Sequence, residues 1–598
     1  MSKSKPRGPN LKWLAAVLLS MSLLGACSSG VITDTTSSNS VPSGCTEVAV
    51  ATSPEKFTLL TGLAETFNTT GQEFDGECAA ITVYRVSSGA AARMLSEGWP
   101  QDGSAGPAPV LWSPAASTWG AVVNQRLAER GEPAIANDFQ RIMLTPLVLG
   151  MPRPMAEALG WPETDIGWSD ILALASDPEG WGSLGHPEWG EFRLGKTNPN
   201  FSTSGLSATA AIFYAATGKT SGLTEADLTD PDVVEFVRGV EAATVHYGDT
   251  TLTFLDNMYR ADQEGRGLTY VSAVAVEEVS ILAYNRGDPA DTGTPGPTPN
   301  VPLVAVYPSE GTLYSDNPAF ILDAEWVTEA ARQAATAFRT FVIDDPDNQR
   351  AVLEFGFRPG NPSVAIGDPI STANGLNPGK PDTEFATPTP EVLSALVENW
   401  EVNRKTARVI ILLDVSGSMA DLAGDGFSKL ELAKEAVITS LDEFKPEDEI
   451  GLWVFSTNLS GDQDYLELIP PAPLAGIRDE LEQTIQNLQA EGGTGLYDST
   501  MAAVQAVRDE FDLTKINAVL LLTDGMCDGD PPGCELDPLV EFLGSNERDV
   551  VRVFPVAYGQ DASIDELTAI ANASQARLYQ ATNPLTIRAV FQQVISNF

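Results

Sequence analysis

ARVIILLDVSGS, residues 407–418, decides the fold of the C-terminal part of this 598-residue chain. Ala407–Leu413 is a nearly continuous apolar run, the pattern of a parallel strand buried on both faces. It runs directly into Asp414-Val415-Ser416-Gly417-Ser418. An Asp and two Ser at alternate positions of a turn bring three oxygens around one point. Outward from this stretch, Lys429–Phe444 reads as a helix and Ile450–Phe455 as a strand. Gly492-Gly493-Thr494-Gly495-Leu496-Tyr497-Asp498 reads as a loop opening a helix, and Asn517–Leu522 is another apolar strand, ending in Thr523-Asp524-Gly525. Val550–Tyr558 and the short Arg577–Ala581 complete the strands before a terminal helix. Alternating strands and helices predict a mostly parallel, Rossmann-like sheet flanked by helices, whose oxygen-bearing turns converge at the carboxyl edge.

Two carboxylates and three hydroxyls form a hard, all-oxygen donor set, suited to Mg²⁺, Ca²⁺ or Mn²⁺ and poorly suited to zinc or copper. The residues are Asp414, Ser416, Ser418, Thr494 and Asp524. In order and spacing they resemble the metal-ion-dependent adhesion site of von Willebrand factor type A (vWA) domains. The resemblance spans residues 402–598 and implies a divalent cation, Mg²⁺ ahead of Ca²⁺ or Mn²⁺. It implies that Ser416, Ser418 and Thr494 contact the ion directly, and the aspartates directly or through water. It further implies a protein partner that presents an acidic side chain to the ion. Asp498, just inside a helix, is read instead as stabilising the helix N-terminus.

The N-terminal half also alternates strand and helix signals. Glu47–Ala51 is followed by Ser53-Pro54-Glu55, an N-cap, first-position Pro and first-turn acid. Ile81–Val86 is followed by Ser87-Ser88-Gly89, and Val110–Trp112 by Ser113-Pro114. Hydroxyls and free N–H groups at such turns suit an oxyanion or carboxylate. With the crossing segment Thr145–Arg153, Gly167-Trp168-Ser169-Asp170, the turn Asn198–Gly205 and the return Val304–Thr312, the series resembles extracellular solute-binding proteins of the periplasmic type. That resemblance implies a bilobal domain over 45–362, closing on a small solute such as an oxyanion, a sugar or a peptide. Carried over by position, Ser53, Ser88, Ser113, Thr203, Ser204 and Tyr270 would line the cleft. Trp161, Trp168, Trp181 and Trp189 are assigned to packing rather than to sugar stacking. Residues 363–401, sparse in apolar periodicity and containing Thr-Pro-Thr-Pro, read as a linker ending in a short helix. The overall fold class is therefore α/β, a bilobal domain followed by a vWA domain.

Lys3, Lys5, Arg7 and Lys12 precede the apolar run Trp13–Leu24, which is too short to span a bilayer and fits a signal peptide over 1–26. It ends Leu24-Gly25-Ala26-Cys27, which resembles a bacterial lipobox and implies acylation of Cys27. Residues 27–44 then form a polar tether, and the chain is expected outside the cytoplasm, lipid-anchored at the cell envelope. Four further cysteines remain. Three connectivities are open. Cys45–Cys78 and Cys527–Cys534 are favoured because each pair lies within one domain, and export favours disulfides. Zinc is disfavoured: there is no C-x-x-C, and His186 and His246 lie far from the cysteines.

The net charge of −45 argues against nucleic acid, which demands clustered Lys and Arg. It also predicts that the partner surrounds its acidic anchor with basic groups, so that association weakens with salt. No Gly-x-Ser-x-Gly elbow or His-Glu-x-x-His occurs, and the chain is read as a binding protein and not an enzyme. The leading reading is an anchored protein with a metal-dependent recognition face and a solute-binding module as second receptor. The alternative is the solute-binding component of an ATP-binding-cassette importer.

Overall fold

The computed structural model describes residues 41, 44–74, 76–100, 106–248, 250–424, 426–461, 463–527, 534–545 and 550–598. The expected signal peptide and Cys27 lie outside the described residues, as does nearly all of the expected tether.

The first lobe is built on a six-stranded sheet. Its central strand Thr46–Thr52 pairs in parallel with Glu77–Arg85 on one side and Leu111–Ser113 on the other. The returning strand Pro318–Ile321 adds antiparallel to Leu111–Ser113. The disulfide Cys45–Cys78 ties the starts of the first two strands together. The expected crossing segment is the strand Met143–Pro152. Its first half pairs with Tyr314–Ser315 and Arg358–Pro359, and its second half with Ala273–Glu277 and Leu303–Val306. One strand thus serves both lobes, which is what a hinge needs. The second lobe completes its sheet with the parallel strands Leu194–Thr197 and Thr244–Gly248.

The C-terminal domain is a six-stranded sheet in the order Gln463–Pro473, Glu449–Ser460, Thr406–Asp414, Lys515–Thr523, Arg552–Tyr558, Tyr579–Ala581. All pairs are parallel except the first. Ile410–Leu413 are fully buried, with Val409 and Ile411 contributing to one helix-covered face and Ile410 and Leu412 to the other. This two-sided burial explains the unbroken apolar run. The antiparallel edge strand was not foreseen, because Pro470, Pro471 and Pro473 argue against a strand. An edge tolerates them, since its outward N–H groups have no ladder partner to lose.

The segment read as a linker is packed, not free. Ile370, Leu376 and Phe385 are buried, and Phe385 stacks on Tyr214 with ring centroids 4.6 Å apart. The helix Pro390–Asn403, capped by Thr389, buries Leu393, Leu396 and Trp400. The apolar residues of this segment are too sparse to show a period, yet several of them enter the cores of the first domain.

The two domains are locked together. Asn198 Nδ2 donates to the Ser596 carbonyl at 3.2 Å, and the Tyr247 N–H to the Asn597 carbonyl at 3.1 Å. Arg404, buried, donates to the Phe598 carbonyl at 2.8 Å and to Asp448 at 3.2 Å. Arg93, from the first lobe, reaches Gln592 of the last helix at 3.0 Å. The C-terminal helix Ile587–Ile595 and the residues after it therefore touch both lobes.

Candidate metal centre and cleft

At the carboxyl edge of the second sheet, the strand Thr406–Asp414 ends with Asp414 fully buried. Its Oδ1 accepts the Ser416 N–H at 2.8 Å and its Oδ2 the Thr523 hydroxyl at 2.6 Å. Ser416 and Ser418 face each other at 3.0 Å between hydroxyl oxygens. Ser418 then donates to Asp524 Oδ1 at 2.7 Å. The loop carrying Thr494 is pinned to the same turn: the Gly417 N–H donates to the Gly492 carbonyl at 2.9 Å, and the Glu491 N–H to the Val415 carbonyl at 2.8 Å. This sets the Thr494 hydroxyl beside Gly525, where an added Cβ would lie 3.0 Å from Thr494 Oγ1. Hydrogen bonds thus link four of the five residues singled out in the sequence, and Thr494 stands beside Gly525, next to Asp524. Asp498 stands exposed in the first turn of the helix Leu496–Asp509.

Two residues at this site escaped the sequence reading. Lys429, 7% exposed, donates to Asp524 Oδ2 at 2.7 Å. Thr523 orients Asp414. Neither belongs to the serine motif, and only the finished sheet brings them in. Burial, with the Asp524 charge beside it, pushes the Asp414 carboxyl up to about 6. Lys429 pairs with Asp524 and, at 3.9 Å, with the exposed Asp561, while among the described residues no cation lies within ion-pairing distance of Asp414. The donors are hard oxygens within reach of one another, and they fit a divalent cation. Among the described residues no group of three or more His, Cys, Asp or Glu gathers anywhere, so a cation held here depends on hydroxyls. The Cys527–Cys534 disulfide closes the loop that follows Asp524. Leu422, Phe427 and Met526 stand exposed on the two segments flanking the site.

The second candidate site lies between the lobes, a cavity of about 30 Å³. Of the six residues expected there, Ser53, Ser88, Thr203 and Ser204 line it. Ser113 and Tyr270 do not. Ser113 is fully buried at the end of its strand. Tyr270 packs in the second-lobe core, its hydroxyl 3.3 Å from His246 Nε2. Glu55, Ser87, Ser202, Thr250, Thr251 and Glu277 line the cavity as well. The lobes touch directly: the Gly89 N–H donates to the Phe201 carbonyl at 3.1 Å, and Trp119 Nε1 to Thr203 Oγ1 at 2.8 Å. Lys56, fully buried behind the cavity, donates to Asn317 Oδ1 at 2.8 Å, to the Pro114 carbonyl at 3.1 Å and to Ser53. Desolvation lowers its pKa.

Residues 48–358 match the family model for bacterial extracellular solute-binding protein, and residues 409–526 that for the von Willebrand factor type A domain. Inter-alpha-trypsin inhibitor heavy chain H4 of Bos taurus is 28% identical over 222 residues, covering 35% of this chain and 21% of the relative. The Homo sapiens protein of that name is 27% identical over 199 residues, covering 31% and 20%. This chain thus spans about a fifth of the length of these curated relatives. Among solved structures, a periplasmic thiamin binding protein is 13% identical, with 61% of this chain and 99% of that one covered at a TM-score of 0.40. A von Willebrand factor type A protein from Catenulispora acidiphila is 21% identical, covering 32% and 42% at 0.25. The solute-binding match takes in just over half of the residues, and the chain belongs to the bacterial extracellular solute-binding protein family, with a von Willebrand factor type A domain joined to it.

Proposed function

We propose that this is a cell-envelope binding protein, lipid-anchored through Cys27, whose vWA domain recognises a protein partner through a divalent cation. Asp414, Ser416, Ser418, Thr494 and Asp524 would hold the ion, Mg²⁺ in the first instance. The bound ion supplies a Lewis-acidic position for an acidic side chain of the partner. The chain's own part is to exclude water from Asp414 and Asp524, and to fix the Asp414 carboxylate through the Ser416 N–H and the Thr523 hydroxyl. The solute-binding domain acts as a second receptor with a small solute in its cleft. The observation that carries this reading is the meeting of five oxygen-bearing residues, drawn from three separate loops, around two buried carboxylates. The test is capture from envelope extract with and without chelator. A partner retained with Mg²⁺, released by chelator and not captured by Asp414→Asn is expected. Equal capture under all three conditions would refute metal dependence. The reading as an importer component draws support from the family match over 48–358. It requires capture of a transporter through the lobes, independent of chelator and of Asp414.

A further inference from the structure

The cleft is lined by hydroxyls, yet its charge has the wrong sign for an oxyanion. The ionisable side chains on its wall are Glu55 and Glu277. Glu277 ends the strand Ala273–Glu277 and is 4% exposed. Its Oε1 accepts the Ser315 hydroxyl at 3.3 Å, and Ser204 is its other side-chain donor. Among the described residues no Lys, Arg or His lies within ion-pairing distance of it. Lys56 does not fill that role. Its ammonium is spent on Ser53, Asn317, the Pro114 carbonyl and, at 3.4 Å, Glu55. The Lys56 charge reaches Glu277 only through space and is largely offset by Glu55, so the hydrogen-bond partners that side chains offer Glu277 are neutral hydroxyls. A buried carboxylate in that position either takes up a proton or attracts a cation. A sulfate or molybdate would meet two carboxylates at close range. A neutral polyol would leave the charge unanswered.

The geometry points to a small organic cation as the cleft ligand, its protonated amine or quaternary ammonium seated against Glu277 and Glu55, with Ser53, Ser88, Thr203 and Thr251 around it. This rests on the reading of the cleft as a ligand site and gives that site a substrate class. It replaces the oxyanion that the serine turns alone favour. With the lobes touching, the cavity of about 30 Å³ holds only a water or two, so the ligand is small and enters as the lobes part. Burial, with the Glu55 charge adding to it, pushes the Glu277 carboxyl up to about 7, so the site is fully charged only in mildly alkaline solution.

The experiment titrates the purified full chain at pH 8 with ethylammonium, choline and 1,4-diaminobutane, and with sulfate, molybdate and glycerol, by calorimetry and thermal melting. The expected result is saturable binding of at least one ammonium probe and a raised melting temperature. Glu277→Gln should weaken that binding at least tenfold. The ligand-free variant should melt no lower than the wild type, which shows that the loss is not one of folding. Binding of an oxyanion or polyol, or ammonium binding unchanged in Glu277→Gln, overturns the cationic assignment and leaves the cleft a ligand site. No response to any probe counts against both the assignment and the cleft reading.

Discussion

Asp524 uses its two oxygens differently, Oδ1 toward Ser418 and Oδ2 toward Lys429. With Asp414, Asp524 and Lys429 all charged, the site carries one net negative charge, and a bound divalent ion would turn it to one net positive. The lysine thus weakens ion binding while making the loaded site more attractive to a carboxylate. Replacing it, Lys429→Met, should raise Mn²⁺ affinity by roughly tenfold or more. Calorimetric titration checks this, and an affinity equal to or below wild type contradicts it. Glu277 gives a second prediction at this scale. It ionises near 4.5 in the unfolded chain and near 7 when folded. Between those values the folded state holds a proton that the unfolded state has lost, so stability falls as pH rises through this window. The groups facing it are Glu55 and Lys56 from the first lobe, Ser204 from the second and Ser315 and Asp316 from the return segment, while Glu278 beside it pairs with Arg358. The effect is at most on the order of 3 kcal/mol, and it should vanish in Glu277→Gln. Parallel urea-denaturation profiles for the two proteins from pH 5 to 8 would contradict it. The five metal-site residues were legible because a short motif and two loop signals announce them. Glu277 was not, because a single Glu after an apolar strand has no distinguishing spacing.

The elements show where periodicity is a good guide and where it is not. The strand through Ala407–Leu413 was plain because both its faces are buried. The edge strand Gln463–Pro473 was hidden by prolines that only an edge tolerates, and residues 363–401 were hidden by anchoring through a few isolated side chains. Serine turns were read as cleft walls from their order alone. Four of the six residues so read line the cavity, while Ser113 and Tyr270 do not, since burial of a single side chain has no sequence signature. The close approach of the lobes depends on one small residue. At Gly89 an added Cβ would lie 2.3 Å from the Asn200 carbonyl oxygen. Gly89→Ala should therefore hold the helix Ser88–Glu97 away from the Asn198–Ser204 turn and cost about 1–3 kcal/mol. Chemical denaturation measures the loss, and small-angle scattering should show a more open first domain. An unchanged scattering profile and midpoint would mean that the lobes do not close against this backbone.

For the molecule as a whole, the vWA domain is part of the body that holds the cleft. The segments lining the second-lobe side of the cavity, Asn198–Ser204 and Thr250–Leu252, adjoin residues bonded to the last helix and its surroundings, through Asn198 to Ser596 and Thr253 to Arg577. Arg404 holds the vWA side of this junction: within that domain it bridges Asp448 and the Phe598 carbonyl, next to the Ser596 and Asn597 carbonyls that meet the second lobe. Removing one partner of a buried ion pair leaves the other charge uncompensated, and Arg404→Met should cost about 3–5 kcal/mol. The loss should appear as a lower midpoint for the whole chain. A transition that splits, with the first domain melting as in the wild type, would show that the two domains are only loosely joined. The family and the two-domain order were legible from motif series. The rigid junction was not, because its contacts pair residues hundreds of positions apart.

The central claim is that the loops at Asp414, Thr494 and Asp524 hold a divalent cation. Calorimetric titration of Mg²⁺ and Mn²⁺ into the chelator-treated full chain tests it most directly. One saturable site per chain, absent in Asp414→Asn, is the expected result. No saturable binding in the wild type, or the same binding in the variant, contradicts the account.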